Sequence, residues 1–213
     1  MIDLHTVATA NGYKVSIMLE ELALPYRVIP YNLVAGDHLK PEYQAMNPVG
    51  RLPLIIDYPG DPHEQHDAAS PLSVYGTAAI LLYLAEKTQR FLPSSLTARA
   101  RVYEWLGIIS SDIGPAYTGQ FVFNVLAKEK LPFAIDFYNR LCLRMIQAME
   151  VQLAKSEYLA GEHYTIADIL GYPVAAISMK RHPANLDAHP HMARWAATLE
   201  ARPAVQRGMK VPS

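Results

Sequence analysis

The first 33 residues constrain the fold more than any other stretch. Ile2 to Val7 reads as a short strand, and Ala8-Thr-Ala-Asn-Gly12 is a polar turn. A helical period follows, with Val15, Met18, Leu19 and Leu22 on one face and Lys14, Glu20 and Glu21 outside it. Leu24-Pro25 ends that helix, because proline disfavours helical backbone in the residue before it. Tyr26-Arg-Val-Ile-Pro-Tyr-Asn-Leu33 is again rich in strand formers. Strand, helix and strand within about 30 residues make a βαβ unit, whose strands run parallel with a right-handed crossover. Pro30 cannot donate to a ladder, which predicts an edge position for the second strand.

Further on, Asn47-Pro-Val-Gly-Arg51 is turn chemistry and Leu52-Pro53-Leu-Ile-Ile-Asp57 is a strand that opens with a proline. Tyr58 to Pro71 has no period and reads as a loop, and Leu72 to Tyr75 is one more short strand that pairs with residues 54–57 as a hairpin. Thr77 to Lys87 is a helix whose apolar face covers the sheet. The order β-α-β-α-β-β-α is thioredoxin-like and ends near residue 88. Arg90 to Ser95 is a linker. Beyond it the pattern is helical throughout: about Thr97 to Ile113, Pro132 to about Lys155, a helix starting at Thr165, and about Pro190 to Ala201. Thr165-Ile-Ala-Asp168 matches a capping box, and Pro173 lies inside the helix it opens. The expected fold class is an α/β thioredoxin-like domain over residues 1–88 followed by an all-α domain over 96–213.

Composition excludes several functions. The chain of 213 residues has 19 basic and 20 acidic side chains, with no basic stripe for nucleic acid and no polybasic segment for a membrane surface. No apolar run approaches the roughly 20 residues that span a bilayer. The N-terminus carries no signal-peptide pattern, and a cytoplasmic protein is expected. Cys142 is the only cysteine, in a run whose helical face it shares with Tyr138, Met145 and Met149. A buried packing thiol is expected there, so any thiol chemistry must use a thiol from outside. His63 and His66 in the polar loop, and His189 and His191 around Pro190, match no zinc spacing, and no metal site is expected.

Four segments resemble one family. Thr9-Ala-Asn11-Gly-Tyr-Lys-Val15 with Leu19-Glu-Glu-Leu22 is similar to the start of bacterial Nu-class glutathione transferases. Asn47-Pro-Val-Gly-Arg-Leu-Pro53 resembles that family's cis-proline turn, and Ala79 to Lys87 its next helix. Tyr158 to Asp168, with Ala201 to Gln206, resembles its C-terminal folding motif and tail. The resemblance implies a homodimer that binds glutathione as co-substrate along the first domain. It also implies conjugation to a small-molecule electrophile, or reduction of a peroxide or disulfide.

The resemblance carries roles to particular residues. Thr9 and Asn11 are the expected catalytic pair near the glutathione sulfur. Physically they stand where a helix begins, and the partial positive charge there favours a thiolate over its thiol. The same residues can simply cap the helix. Pro53 is expected in the cis form, with the backbone of Leu52 gripping the peptide part of glutathione by β-like pairing. Arg51 supplies a basic side chain for a carboxylate, and Thr77 a hydroxyl at a helix start. Two members of the binding set depart from the family: Gly76 stands where an acidic residue is usual, and His38 where a Gln is usual. Phe137 aligns with an Arg. A hydrogen bond to a charged group contributes about 1.5–3 kcal/mol, so the loss at Gly76 is expected to weaken glutathione about 10- to 100-fold. A second pocket draws on Tyr13, Tyr117, Phe121 and Phe123, with Gly114 to Phe123 as an irregular aromatic wall, or else those rings pack the core or a dimer face. The readings left open are a glutathione-dependent enzyme, an isomerase or lyase on the same fold with another ligand, and a non-catalytic binding protein.

Overall fold

In a computed structural model of the protein, residues 1–59, 70–181 and 188–212 are described. Most of the loop expected at Tyr58 to Pro71, with His63 and His66, lies outside them. Packing divides the chain into two units, Met1–Arg90 with Glu200–Ser213, and Phe91–Leu199.

The first unit is built on a four-stranded sheet of β1 (Ile2–Thr6), β2 (Tyr26–Pro30), β3 (Leu54–Asp57) and β4 (Leu72–Tyr75), in the order β2-β1-β3-β4. β1 and β2 are parallel, while β3 runs antiparallel to both β1 and β4. β2 is an edge strand, as its proline requires. The helices are α1 (Ala10–Leu22), α2 (Pro41–Met46) and α3 (Thr77–Thr88). α1 ends at Ala23, whose left-handed backbone (φ 54°) lets its N–H reach the Glu20 carbonyl. Val15, Ile17, Met18 and Leu19 of α1, Leu4 of β1 and Leu54 and Ile55 of β3 are fully buried.

The second unit is helical: α4 (Leu96–Ile108), α5 (Gly114–Phe121), α6 (Pro132–Leu153), α7 (Ile166–Arg181) and α8 (Pro190–Glu200). Two π turns, Ile109–Ile113 and Val122–Leu126, flank α5. The wall expected to be irregular is therefore helical. Pro115 has no N–H and its ring would crowd the carbonyl four residues back, and the wider turn before it, with the Gly114 N–H reaching Ile109, makes room. Gly119 accepts the ring of Tyr138, since a Cβ there would stand 2.1 Å from it. Cys142 is buried, and burial pushes its thiol up to about 11.

A last short helix, α9 (Pro203–Gly208), belongs to the first unit, although the sequence pattern grouped the tail with the helical part. It packs on α1 so closely that a Cβ on Gly208 would meet the Ile17 backbone at 2.5 Å. Ser16 donates its hydroxyl to the Gly208 carbonyl at 2.6 Å, and Arg202 grips Glu21 with two bonds of 2.6 and 2.9 Å. Among the described residues no helix is long and apolar enough to cross a membrane.

Candidate functional site

Register brings four strand ends to one edge of the sheet. Thr6 of β1 pairs with Pro30 of β2, His5 with Leu54 of β3, and Leu54 with Tyr75 of β4. The segments that leave or enter the strands there are residues 7–11, 31–40, 47–53 and 76–79. They contain Thr9, Asn11, His38, Arg51, Leu52, Pro53, Gly76 and Thr77, which were picked from separate motifs. This is the end of the parallel strands at which ligands of open α/β sheets bind.

At the start of α1, Thr9 is the N-cap, with extended backbone (φ −139°, ψ 164°). Its Oγ1 accepts from the Gly12 N–H at 3.3 Å, and its hydroxyl donates to the Val7 carbonyl over a long 3.5 Å. The N–H groups of Ala10 and Asn11 have no partner among the described residues. They leave this helix end positively polarised and open. Gly12 is dictated by closeness: a Cβ would fall 2.2 Å from the Val7 carbonyl oxygen and 2.6 Å from the Thr6 hydroxyl. Asn11 is exposed, and its Oδ1 accepts from Lys14 Nζ at 2.9 Å.

The turn before β3 is locked through one atom. The Arg51 carbonyl accepts from the Tyr43 hydroxyl at 2.7 Å and from Asn47 Nδ2 at 2.6 Å. Burial pushes the Tyr43 phenol up to about 12, so it stays a donor. Asn47 is itself buried, and its Oδ1 accepts from the Val49 N–H at 3.1 Å. Gly50 (φ 61°) turns the chain and passes the His38 carbonyl, which a Cβ would approach to 3.3 Å. The Leu52-Pro53 peptide is cis, as expected. Beside it the N–H and C=O of Leu52 have no partner among the described residues. The Arg51 side chain is exposed. His38 sits in a single 3-10 turn, Asp37–Leu39, with its Nδ1 buried and unbonded.

Gly76 caps α3 with φ 85° and ψ 118° and offers no side chain. The Ile80 N–H bonds back to the Gly76 carbonyl at 2.9 Å, which leaves the N–H groups of Thr77, Ala78 and Ala79 without a partner among the described residues. A second open helix start therefore stands at the same sheet edge.

Two family models cover most of the chain: "Glutathione S-transferase, N-terminal domain" over residues 10–87 and "Glutathione S-transferase, C-terminal domain" over 120–203. The chain belongs to the glutathione S-transferase family. It is 34% identical to "Disulfide-bond oxidoreductase YfcG" of Escherichia coli, over 98% of this chain and 94% of that one. Among solved structures, a glutathione transferase family member from Pseudomonas fluorescens with two glutathione bound superposes with a TM-score of 0.89. It is 33% identical and covers 99% of this chain and 93% of its own. A Pseudomonas putida glutathione transferase with one glutathione disulfide bound per subunit gives 0.90 at 29% identity, covering 100% and 92%.

Within this glutathione S-transferase, the residues expected to form the second pocket fall in both units. Tyr13 lies in the first turn of α1. Tyr117, Phe121 and Phe123 lie on α5 and the π turn after it. Phe123 is engaged within its own unit, stacked on Tyr138 at 5.3 Å. Burial pushes the Tyr117 phenol up to about 12, opposed by the nearby Ser178 hydroxyl. Sequence reasoning missed Tyr43 as an anchor of the proline turn and placed Lys14 outside the apolar face. The usable signal for Lys14 was its spacing from Asn11, since residues three apart on a helix are neighbours.

Proposed function

We propose that this glutathione S-transferase uses glutathione as its thiol co-substrate, with the sulfur at the start of α1 and the peptide against Leu52. The convergence at one sheet edge of a helix start and a Leu52 backbone pair that both lack partners among the described residues carries the reading. The N–H groups there and the Asn11 amide favour the thiolate. Thr9 supplies a hydroxyl, and the amide-rich start of α3 with Thr77 receives the γ-glutamyl carboxylate. Arg51 and His38 face the other carboxylate. The thiolate attacks a disulfide sulfur, forming a mixed disulfide and expelling a thiolate. A second glutathione then releases the reduced product and glutathione disulfide. Reduction of a disulfide is favoured among the chemistries of this family by the names of the relatives, and Cys142 with its raised pKa takes no part. A peroxide or an electrophilic carbon is attacked by the same anion. A homodimer in the cytoplasm completes the reading; exposed Leu96 and Tyr103 on α4 support a partner surface.

Calorimetric titration with glutathione and glutathione disulfide tests it. Binding between micromolar and low millimolar supports the proposal, and no heat from either ligand rejects it. Gly76 is the observation that favours a second reading, an isomerase, lyase or binding protein on the same scaffold, because it leaves the ammonium of glutathione without a carboxylate. The space beside Gly76 is open, so Gly76→Glu has room, but φ 85° is unfavourable for any side chain. The variant is expected to lose about 1–3 kcal/mol of stability. If glutathione is the ligand, it should gain about tenfold in affinity.

A further inference from the structure

Lys14 is 3% exposed, although the helical pattern puts it outside the apolar face of α1. Lysine is almost never fully buried without a partner, because its charge loses hydration. Among the described residues its ammonium donates only to Asn11 Oδ1, at 2.9 Å, and no carboxylate stands within ion-pair distance. Burial holds its pKa down at about 8, which still leaves it mostly charged at neutral pH. An ammonium has three donors and no acceptor, so it decides how the neighbouring amide is turned. The Asn11 oxygen must face Lys14, and the Asn11 Nδ2 hydrogens must face away. Those hydrogens have no partner among the described residues and stand in the same turn as the open N–H groups of Ala10 and Asn11. An apolar chain of similar length fills the same space without burying a charge, so packing alone gives no reason for a lysine.

The geometry points to Lys14 as a positioning residue that turns the Asn11 amide donor outward, toward the thiolate, and holds a cation within hydrogen-bond distance of that amide. The inference rests on the glutathione reading of the site. Lys14 touches no substrate and acts through Asn11.

Three variants separate this role from packing: Lys14→Met, which removes the charge at similar length, Lys14→Gln, and Lys14→Arg, which keeps the charge. Without glutathione, the Asn11 side-chain amide is followed by nitrogen-edited NMR. One sharp pair of hydrogens is expected in the wild type and in Lys14→Arg, and a shifted or doubled pair in Lys14→Met. With glutathione, the thiolate is titrated by its ultraviolet absorbance and turnover is measured at pH 7. Lys14→Met is expected to make the bound thiol about tenfold less acidic and to lower kcat about tenfold. KM for glutathione should change less than about threefold, and Lys14→Arg should recover most of kcat. An unchanged amide signal and unchanged thiolate titration in folded Lys14→Met overturn the assignment. If Lys14→Met does not fold, Lys14→Gln is read in the same way. A wild-type protein that binds no glutathione sinks the thiol-enzyme reading instead, and the amide signal still decides whether Lys14 sets Asn11.

Discussion

The starts of α7 and α1 each place a charged side chain out of water, and they finish the surrounding hydrogen bonds in opposite ways. At α7, Asp168 is 0% exposed and accepts from the Leu159 N–H at 2.9 Å, the Thr165 N–H at 3.0 Å, the Thr165 hydroxyl at 3.3 Å and Trp195 Nε1 at 2.9 Å. Thr165 accepts in turn from the Ala167 N–H at 3.3 Å. The helix start is consumed by the protein itself. At α1, Lys14 has a single partner among the described residues, and the N–H groups of Ala10 and Asn11 have none there. A closed network commits a helix start to folding, because each donor there is already satisfied. An open one keeps its polarised groups for a ligand.

The largest effect expected from this contrast is at Asp168. Burial outweighs the hydrogen bonds from Leu159, Thr165 and Trp195, which act to lower it, and leaves its carboxyl at about 6, so it is mostly ionised at pH 7. Asp168→Ala leaves those donors buried without an acceptor. Removing one member of a buried charged network costs about 3–5 kcal/mol, and urea denaturation should show a midpoint lowered accordingly. A loss under about 1 kcal/mol, the size of an ordinary cap, would break the contrast between the two helix starts.

Lys14 should show the reverse sign. Its folded pKa, about 8, lies below the ordinary 10.5, so between those values the unfolded chain binds more protons than the native one. Stability from this group therefore rises as pH climbs through about 8 to 10.5 and is lowest below that window, by about 3 kcal/mol in all. Lys14→Met should remove that slope and raise stability at pH 7 while lowering turnover. Denaturation midpoints across that range check it, and a wild-type curve with no more slope than the variant's would show that Lys14 carries no buried charge.

What was legible in the sequence were features set by local backbone chemistry. Proline at residue 30 placed β2 at the edge, proline at 53 marked the cis turn, and Thr165 with Asp168 marked the box that opens α7. The eight candidate residues of the first unit came from separate motifs, and register explains why their segments share one edge. The misses were all decided by distant or competing contacts. Lys14 looked like a solvated charge because periodicity sorts residues by type, whereas its burial is set by Asn11 and the packing around α1. The tail helix α9 lies almost two hundred residues from α1, and no local pattern reports the contact between Gly208 and Ile17. Around α5, Gly-Pro suggested irregular backbone, but a π turn absorbed the proline and the helix continued.

The smallest effect is at the two cap threonines, and it separates capping from chemistry. Thr9 and Thr165 each accept from a backbone N–H at 3.3 Å, yet among the described residues Thr9 is the one of the two that stands beside donors without a partner. Thr9→Ala removes a cap worth about 1 kcal/mol, and the Asp168 network should make Thr165→Ala the costlier of the two. Thr9→Ser keeps the oxygen and should restore the cap. If the hydroxyl also serves the thiolate, Thr9→Ala lowers glutathione-dependent turnover while Thr165→Ala leaves it intact, and Thr9→Ser recovers it. If Thr9→Ala loses stability but keeps full turnover, Thr9 is a cap alone, and the sulfur is held by the Asn11 amide and the N–H groups of the first turn.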